Sequence, residues 1–324
     1  MPPTVFVCGT TGCQGSAVAA ALLSRGASVR SVTRDPTSPA AVAAASKGIH
    51  LTPGNYDDPE ALRAALAGCA AVFLNFMPDF ADPGANLRQA KLILATALAA
   101  GATHVVYSSG LGVDRIPHIL ATTGQPPAPE SEGGTSSSPM QAILQSKRDI
   151  ELAVQSANFP AWTVLRPGNF MANYAEPFVR MYQGLTSATG TWTAALPSPE
   201  DVVIPLVDTL TIGTWSSEAL LDPTRFNART IPYADEKLPL GTIFRKLRRA
   251  TGKDLRLVAM ATDEVEARRS DPFVAGQRAM ALMDGLIDMD EPRGWGLPAS
   301  SFDAFLAREK DALDKTYANV PAIQ

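Results

Sequence analysis

Seven residues near the start of the chain, Gly9-Thr10-Thr11-Gly12-Cys13-Gln14-Gly15, carry the clearest chemical signal. They follow the apolar run Val5-Phe6-Val7-Cys8 and open an alanine- and leucine-rich stretch, Ser16 to Ser24, that reads as a helix. Glycine at the first position permits a tight turn. At the second it lets backbone approach a pyrophosphate, and at the third it lets the helix pack closely on the sheet, so the diphosphate meets unpaired N–H groups at the helix start. The spacing G-x-x-G-x-x-G, with strand before and helix after, predicts a dinucleotide cradle. The next strand, Ser28 to Thr33, runs into Arg34-Asp35. An acidic residue there would accept from the ribose 2′-OH of NAD, whereas Arg34 can pair bidentately with a 2′-phosphate and stack on adenine. Asp35 lies close to the same place, but Arg34 points to NADP.

Other candidate chemistry is weaker. His50, His104 and His118 are scattered, and Cys8, Cys13 and Cys69 lack metal-ligand spacing, so no metal site is expected. Ser108-Ser109-Gly110 lacks the G-x-S-x-G of a nucleophile elbow. Arg245, Lys246, Arg248, Arg249, Lys253 and Arg256 cluster locally and read as a solvated helix face. Phe170, Tyr174, Phe178, Tyr182 and Trp192 form an aromatic stretch. Some of these must pack a core, and the stretch also suits a hydrophobic substrate pocket at a lobe interface.

The elements that would position these groups alternate through residue 168. Strand-like runs at Gly48 to Thr52, Val72 to Asn75, Thr103 to Ser108 and Trp162 to Leu165 are separated by helical stretches. Those stretches are Pro39 to Ser46, Pro59 to Leu66, Gly84 to Ala100 and Met140 to Ala157. Near-continuous apolar strands between helices predict a doubly wound, Rossmann-type parallel sheet covered on both faces. Gly112 to Pro139, with its proline pairs and Gly/Ser/Thr run, reads as a long loop, either a disordered insertion or a lid. Beyond it the expectation is a dinucleotide domain over 1–168, with 202–222 returning to it, and a smaller, mostly helical lobe over 169–324. Ile243 to Ala250, Thr262 to Arg269, Val274 to Leu286 and Ser301 to Leu313 look helical.

Taken in order, the glycine loop, Thr33-Arg34-Asp35-Pro36, Gly54-Asn55-Tyr56-Asp57-Asp58, Val105-Val106-Tyr107-Ser108-Ser109 and Leu165-Arg166-Pro167-Gly168-Asn169-Phe170-Met171 resemble the NmrA-like family. These are atypical short-chain dehydrogenases, similar also to isoflavone reductase-like proteins, and the resemblance runs to Phe302-Asp303-Ala304-Phe305-Leu306. It implies that Asn55 and Tyr56 lie near adenine, and that Asn75 and Phe76 line the adenosine side. It places Ser108 and Ser109 toward the nicotinamide, with Pro167, Asn169 and Phe170 walling it. Lys147 falls where the family keeps a helix lysine that bonds the nicotinamide ribose and assists proton transfer. Phe170, Tyr174 and Phe178 would face substrate. The chain departs from the standard Tyr-x-x-x-Lys pattern, because Ile143 stands four before Lys147 and cannot carry a proton. Any acid must then be Lys147, a water, or a lobe group such as Tyr174.

Composition narrows the function classes. Hydrophobic residues make up 46% and charged residues 19% of 324, with net charge −4, which gives no field suited to nucleic acid. Sparse cysteines, no leader pattern and no apolar run long enough for a membrane span suggest a soluble cytoplasmic protein. The sequence thus points to an NADPH-dependent reductase of a hydrophobic small molecule, a ketone, enone, imine or quinone. The other reading is a non-catalytic NADP(H) sensor that binds a regulatory protein partner. Substrate identity and oligomeric state are open at this level.

Overall fold

The computed structural model describes residues 2–79, 81–123, 139–269 and 271–323. The chain begins with β1 (Thr4–Val7), α1 (Cys13–Ser24), β2 (Ser28–Thr33), α2 (Pro39–Ser46), β3 (His50–Pro53) and α3 (Pro59–Leu66). It continues through β4 (Ala71–Leu74), α4 (Ala85–Ala99), β5 (His104–Ser108), α5 (Ile116–Thr123), α6 (Pro139–Ser156) and β6 (Ala161–Pro167). These boundaries follow local signals. Asp58 accepts from the amides of Glu60 and Ala61 at the start of α3, with proline as its first residue, and Ser38 caps α2 in the same way.

The sheet has the order β10-β6-β5-β4-β1-β2-β3, counting β10 (Arg229–Tyr233), which joins from far along the chain, parallel to β6. All neighbours in it are parallel. Alternation along the strands divides two cores. Phe6, Val72, Leu74, Val105, Tyr107 and Val164 pack with α3, α4 and α6, while Val5, Val7, Phe73, Val106 and Leu165 pack with α1 on the opposite face. Strand order reverses between β1 and β4, so a crevice opens there at the carboxyl ends, where α/β sheets bind ligands.

Past β6 come β7 (Asn169–Phe170), β8 (Thr191–Ala194), β9 (Val203–Val207), α7 (Thr209–Leu221), α8 (Pro223–Phe226) and, after β10, β11 (Glu236–Pro239). Then follow α9 (Leu240–Thr251), β12 (Arg256–Ala259), α10 (Thr262–Ala267), α11 (Pro272–Met280), α12 (Asp290–Gly294), α13 (Phe302–Arg308) and α14 (Lys310–Thr316). Ile212, Trp215 and Ala219 of α7 join Val18 and Leu22 of α1 in one core. Beyond residue 168 the chain also forms two small sheets that sequence periodicity did not reveal, β11-β9-β7 and β12-β8.

One expectation is corrected here. Within the segment 112–139, read as a loop, Ile116–Thr123 forms α5, with Ile116, Ile119, Leu120 and Thr123 buried on one face. That i, i+3, i+4, i+7 spacing was legible but masked by the prolines that follow. Residues 124–138 of the suggested lid lie outside the described residues.

Candidate functional site

The glycine loop leaves β1 at the crevice. Gly9 has φ +68°, a left-handed conformation that favours glycine, and its amide donates to the Tyr56 hydroxyl at 2.7 Å. At Gly15 a Cβ would stand 2.2 Å from the Gly9 carbonyl oxygen and 2.5 Å from that of Cys8, so α1 can sit this close to the sheet only on glycine. Gly12 differs. Its φ is −103°, and a Cβ there would meet only the Gly9 carbonyl oxygen, at 3.4 Å. Neither backbone strain nor severe internal crowding demands glycine at that position.

What Gly12 keeps open is the start of α1, which has no side-chain cap and no acidic residue in its first turn. The amides of Cys13, Gln14 and Gly15 lack backbone partners among the described residues, while that of Gly12 donates to the Gly9 carbonyl oxygen at 2.9 Å and that of Ser16 to Gly12. Beside them the Thr10 hydroxyl is buried without a hydrogen-bond partner. Uncapped donors and an idle hydroxyl under an uncovered glycine suit a diphosphate.

Gln14 ties the loop to the neighbouring strand ends. Its amide nitrogen donates to Asn75 Oδ1 at 3.2 Å, and its carbonyl oxygen accepts from Ser108 Oγ at 2.8 Å. Three sequence-selected residues from α1, β4 and β5 thus meet across the crevice. Next to them, Lys147 Nζ donates to the Ser109 carbonyl oxygen at 3.2 Å, and the Ser109 amide donates to Leu165 on β6 at 2.8 Å. Burial pulls the Lys147 ammonium down to about 8 from 10.5, and the Glu151 carboxylate one turn along α6 acts against that fall. The Ser109 hydroxyl is buried and unpartnered.

On the β2 side, Arg34 is exposed and makes no ion pair among the described residues. Asp35 is engaged in a turn. Its Oδ1 accepts from the Thr37 hydroxyl at 2.6 Å and the Thr37 amide at 2.8 Å, which holds the carboxyl below its ordinary range. Cys13 begins α1, half-buried, with its thiol pushed up by burial.

Several sequence-selected residues have mainly architectural contacts. Asn55 Oδ1 accepts from the Asp57 amide, building the turn after β3. Tyr56 braces Gly9 and meets Phe76 edge-on at 5.9 Å, while Phe76 is itself buried in the core. Asn169 Oδ1 accepts from Asn173, and Asn169 and Phe170 pair with Leu206 and Val207, continuing from Pro167 at the end of β6.

Tyr174 requires a correction. It was expected at the substrate cleft and named as a possible acid, yet its ring is fully buried, stacked on Tyr182 at 5.1 Å and edge-on to Phe302 at 5.5 Å. Tyr182 and Trp192 are buried with it, whereas Phe170 and Phe178 remain half-buried. In the basic cluster of α9 and β12, Lys246 and Arg249 pair with Asp303, and Arg248 and Arg256 with Asp254. No group of three or more metal-ligating side chains occurs among the described residues. Among these residues no helix is long and apolar enough to cross a membrane.

Comparison with known proteins agrees with this geometry. An NAD(P)H-binding family matches residues 9–195, and the NmrA-like family matches residues 128–317. An NmrA-like family domain-containing oxidoreductase of Aspergillus japonicus is 28% identical over 297 residues, 88% of this chain and 83% of its own. NADPH-dependent quinone oxidoreductase of Escherichia coli, solved with NADPH, superposes with a TM-score of 0.67 at 18% identity, over 94% of this chain and 99% of its own. NmrA, a negative transcriptional regulator solved with NADP, gives 0.63 at 16% identity, over 99% and 92%. At such identities the solved structures speak for the fold alone. The chain belongs to the NmrA-like family, whose match spans residues 128–317, and its residues 9–195 match an NAD(P)H-binding family.

Proposed function

We propose that this protein is an NADPH-dependent reductase of a hydrophobic, conjugated small molecule, with quinones and enones ahead of simple ketones and imines. The observation that carries the proposal is Lys147, a half-buried cation fixed on the Ser109 carbonyl oxygen beside the Gln14–Ser108 contact. Bound NADPH would supply a hydride. The diphosphate would rest on the open amides of α1 and the Thr10 hydroxyl, and Arg34 would take the 2′-phosphate that Asp35, turned onto Thr37, does not oppose.

Lys147 holds a proton at Nζ near neutral pH and gives it up more readily than an exposed lysine. It would also offer positive charge to an oxygen that becomes negative. With Ile143 where the standard tyrosine would stand, proton delivery is weaker than in a full pair. That favours acceptors whose reduced anion is already stabilised, since a lost general acid typically costs only about 10²–10⁴-fold. The oxidoreductase named among the relatives supports this direction. Half-buried Phe170 and Phe178 would supply apolar contact.

Stopped-flow oxidation of NADPH with a panel of quinones, enones and imines tests the reading. Saturable turnover with at least one conjugated acceptor, and a larger loss in kcat than in cofactor affinity for Lys147→Ala, is the expected result. Ile143 favours one other reading, an NADP(H) sensor that binds a protein partner. Saturable NADPH binding without turnover on the whole panel would select it.

A further inference from the structure

Behind Lys147 lies a buried charge cluster that the proposed reaction has not used. Glu151 is one helical turn further along α6, on the side facing the sheet, and is fully buried. Arg166, from the end of β6, grips it with two hydrogen bonds, Nε to Oε1 at 2.9 Å and Nη2 to Oε2 at 2.8 Å. Arg148 adds a third contact at 3.1 Å, and Asp114 reaches Arg166 from the outer side at 3.0 Å. A buried carboxylate is costly unless paired and hydrogen-bonded, and this one has two guanidinium partners.

We propose that Glu151, clamped by Arg166, is the positioning residue that keeps Lys147 protonated and aimed at the end of β5. This rests on the reading of Lys147 given above. Residues four apart on a helix lie on one face, so the buried carboxylate stands on the ammonium's side of α6 and favours its charged form without a direct ion pair between them. Other charged or titratable groups around the pair are Arg148 and Asp149 on α6, Arg166 on β6, Asp114 before α5 and the Tyr107 phenol on β5. Asp149 is occupied by Gln145 at 2.8 Å. Tyr107 is buried, and burial and the same Glu151 charge push its phenol up, so it stays neutral. Among the described residues, no ion pair joins this cluster to α4 or α11. The charge that favours protonated Lys147 is that of Glu151, which opposes the fall caused by burial.

Lys147 can be titrated without cofactor. The apo protein is reductively methylated with ¹³C-formaldehyde, the Lys147 resonance is assigned by its loss in Lys147→Arg, and its midpoint is followed from neutral to alkaline pH. Glu151→Gln removes the attraction and should lower the midpoint by about one pH unit or more. Arg148→Gln takes away one of the two guanidinium partners of Glu151, at a partly exposed position, leaves the Arg166 clamp in place, and should raise it. Opposite shifts support the proposal, because loosened packing would move both midpoints up toward an ordinary lysine. Unchanged midpoints, or two upward shifts, overturn it. If Glu151→Gln does not fold, Glu151→Asp decides: it keeps a carboxylate for Arg166 but draws the charge back from Lys147, so a lowered midpoint supports the proposal and an unchanged or raised one overturns it. In the holoenzyme, the pH profile of NADPH oxidation should move with each midpoint. A midpoint that follows Glu151 while Lys147→Ala leaves turnover unchanged would uphold the coupling and refute the catalytic reading of Lys147.

Discussion

Valine at position 12 and alanine at position 15 should separate binding from folding within one loop. At Gly15 the added methyl would stand 2.2 Å from one backbone oxygen and 2.5 Å from another. Both belong to backbone rather than to a flexible side chain, so α1 must move outward by about 1 Å to restore van der Waals contact. Overpacking of this kind costs roughly 1–3 kcal/mol, and the close backbone contact puts Gly15→Ala at the upper end or beyond. At Gly12 the nearest atom to the first added carbon is 3.4 Å away and φ is negative. Gly12→Val should therefore cost only about 1 kcal/mol, mainly from a poorer helix N-cap. Its side chain would instead fill the place reserved for the diphosphate. Thermal melts with and without NADPH read both effects. Ligand at a hundred times its Kd stabilises the wild type by about 2.7 kcal/mol, and Gly12→Val should lose that increment almost entirely. A Gly12→Val protein that keeps its NADPH shift, or a Gly15→Ala protein that melts like wild type, would refute the reasoning.

Three further outcomes follow from the same geometry. Arg34→Ala should weaken NADPH by roughly 1.5–3 kcal/mol, the value of hydrogen bonds to a charged group, and leave NADH unchanged; calorimetry showing equal losses would remove Arg34 from the phosphate site. Turnover should fall as pH rises through about 8, where Lys147 loses its proton, and Lys147→Arg should abolish that limb. The stability sign is opposite: the folded value lies below 10.5, so charging Lys147 penalises the fold below pH 8, and the penalty is relieved as pH rises from about 8 toward 10.5. Finally, Arg308 grips fully buried Asp208 through two bonds of 2.8 Å, with Ser300 Oγ adding one at 2.9 Å. Arg308→Ala leaves that carboxylate without its cation and should cost about 3–5 kcal/mol in denaturant unfolding.

Local pattern made most of the sheet legible. The strand at Ser28–Thr33 and the helices at Pro39–Ser46 and Pro59–Leu66 coincide with their sequence readings, because apolar spacing, proline at the first turn and Ser or Asp caps act over a few residues. The cradle was equally local, since a turn, an open helix start and close helix–sheet packing each demand glycine or its absence of a side chain within seven positions. Arg34 could be selected for the same reason, as its place follows directly from the end of its strand.

Contacts between distant segments belonged to the tertiary structure alone. Strand β10 joins the sheet edge more than sixty residues after β6, and short strands such as Asn169–Phe170 have too few residues to show a period. Tyr174 and Phe170 look alike as aromatic residues in sequence, yet packing against Tyr182 and Phe302 removes the first from any cleft. Glu151 and Arg166 each read as ordinary members of a helix and a strand until the fold seals them together behind Lys147. The sequence determined most of the elements of the central sheet and marked a candidate dinucleotide cradle, because those signals depend on near neighbours. Burial and charge pairing depend on what the chain brings back from far away, and only the folded structure decided them.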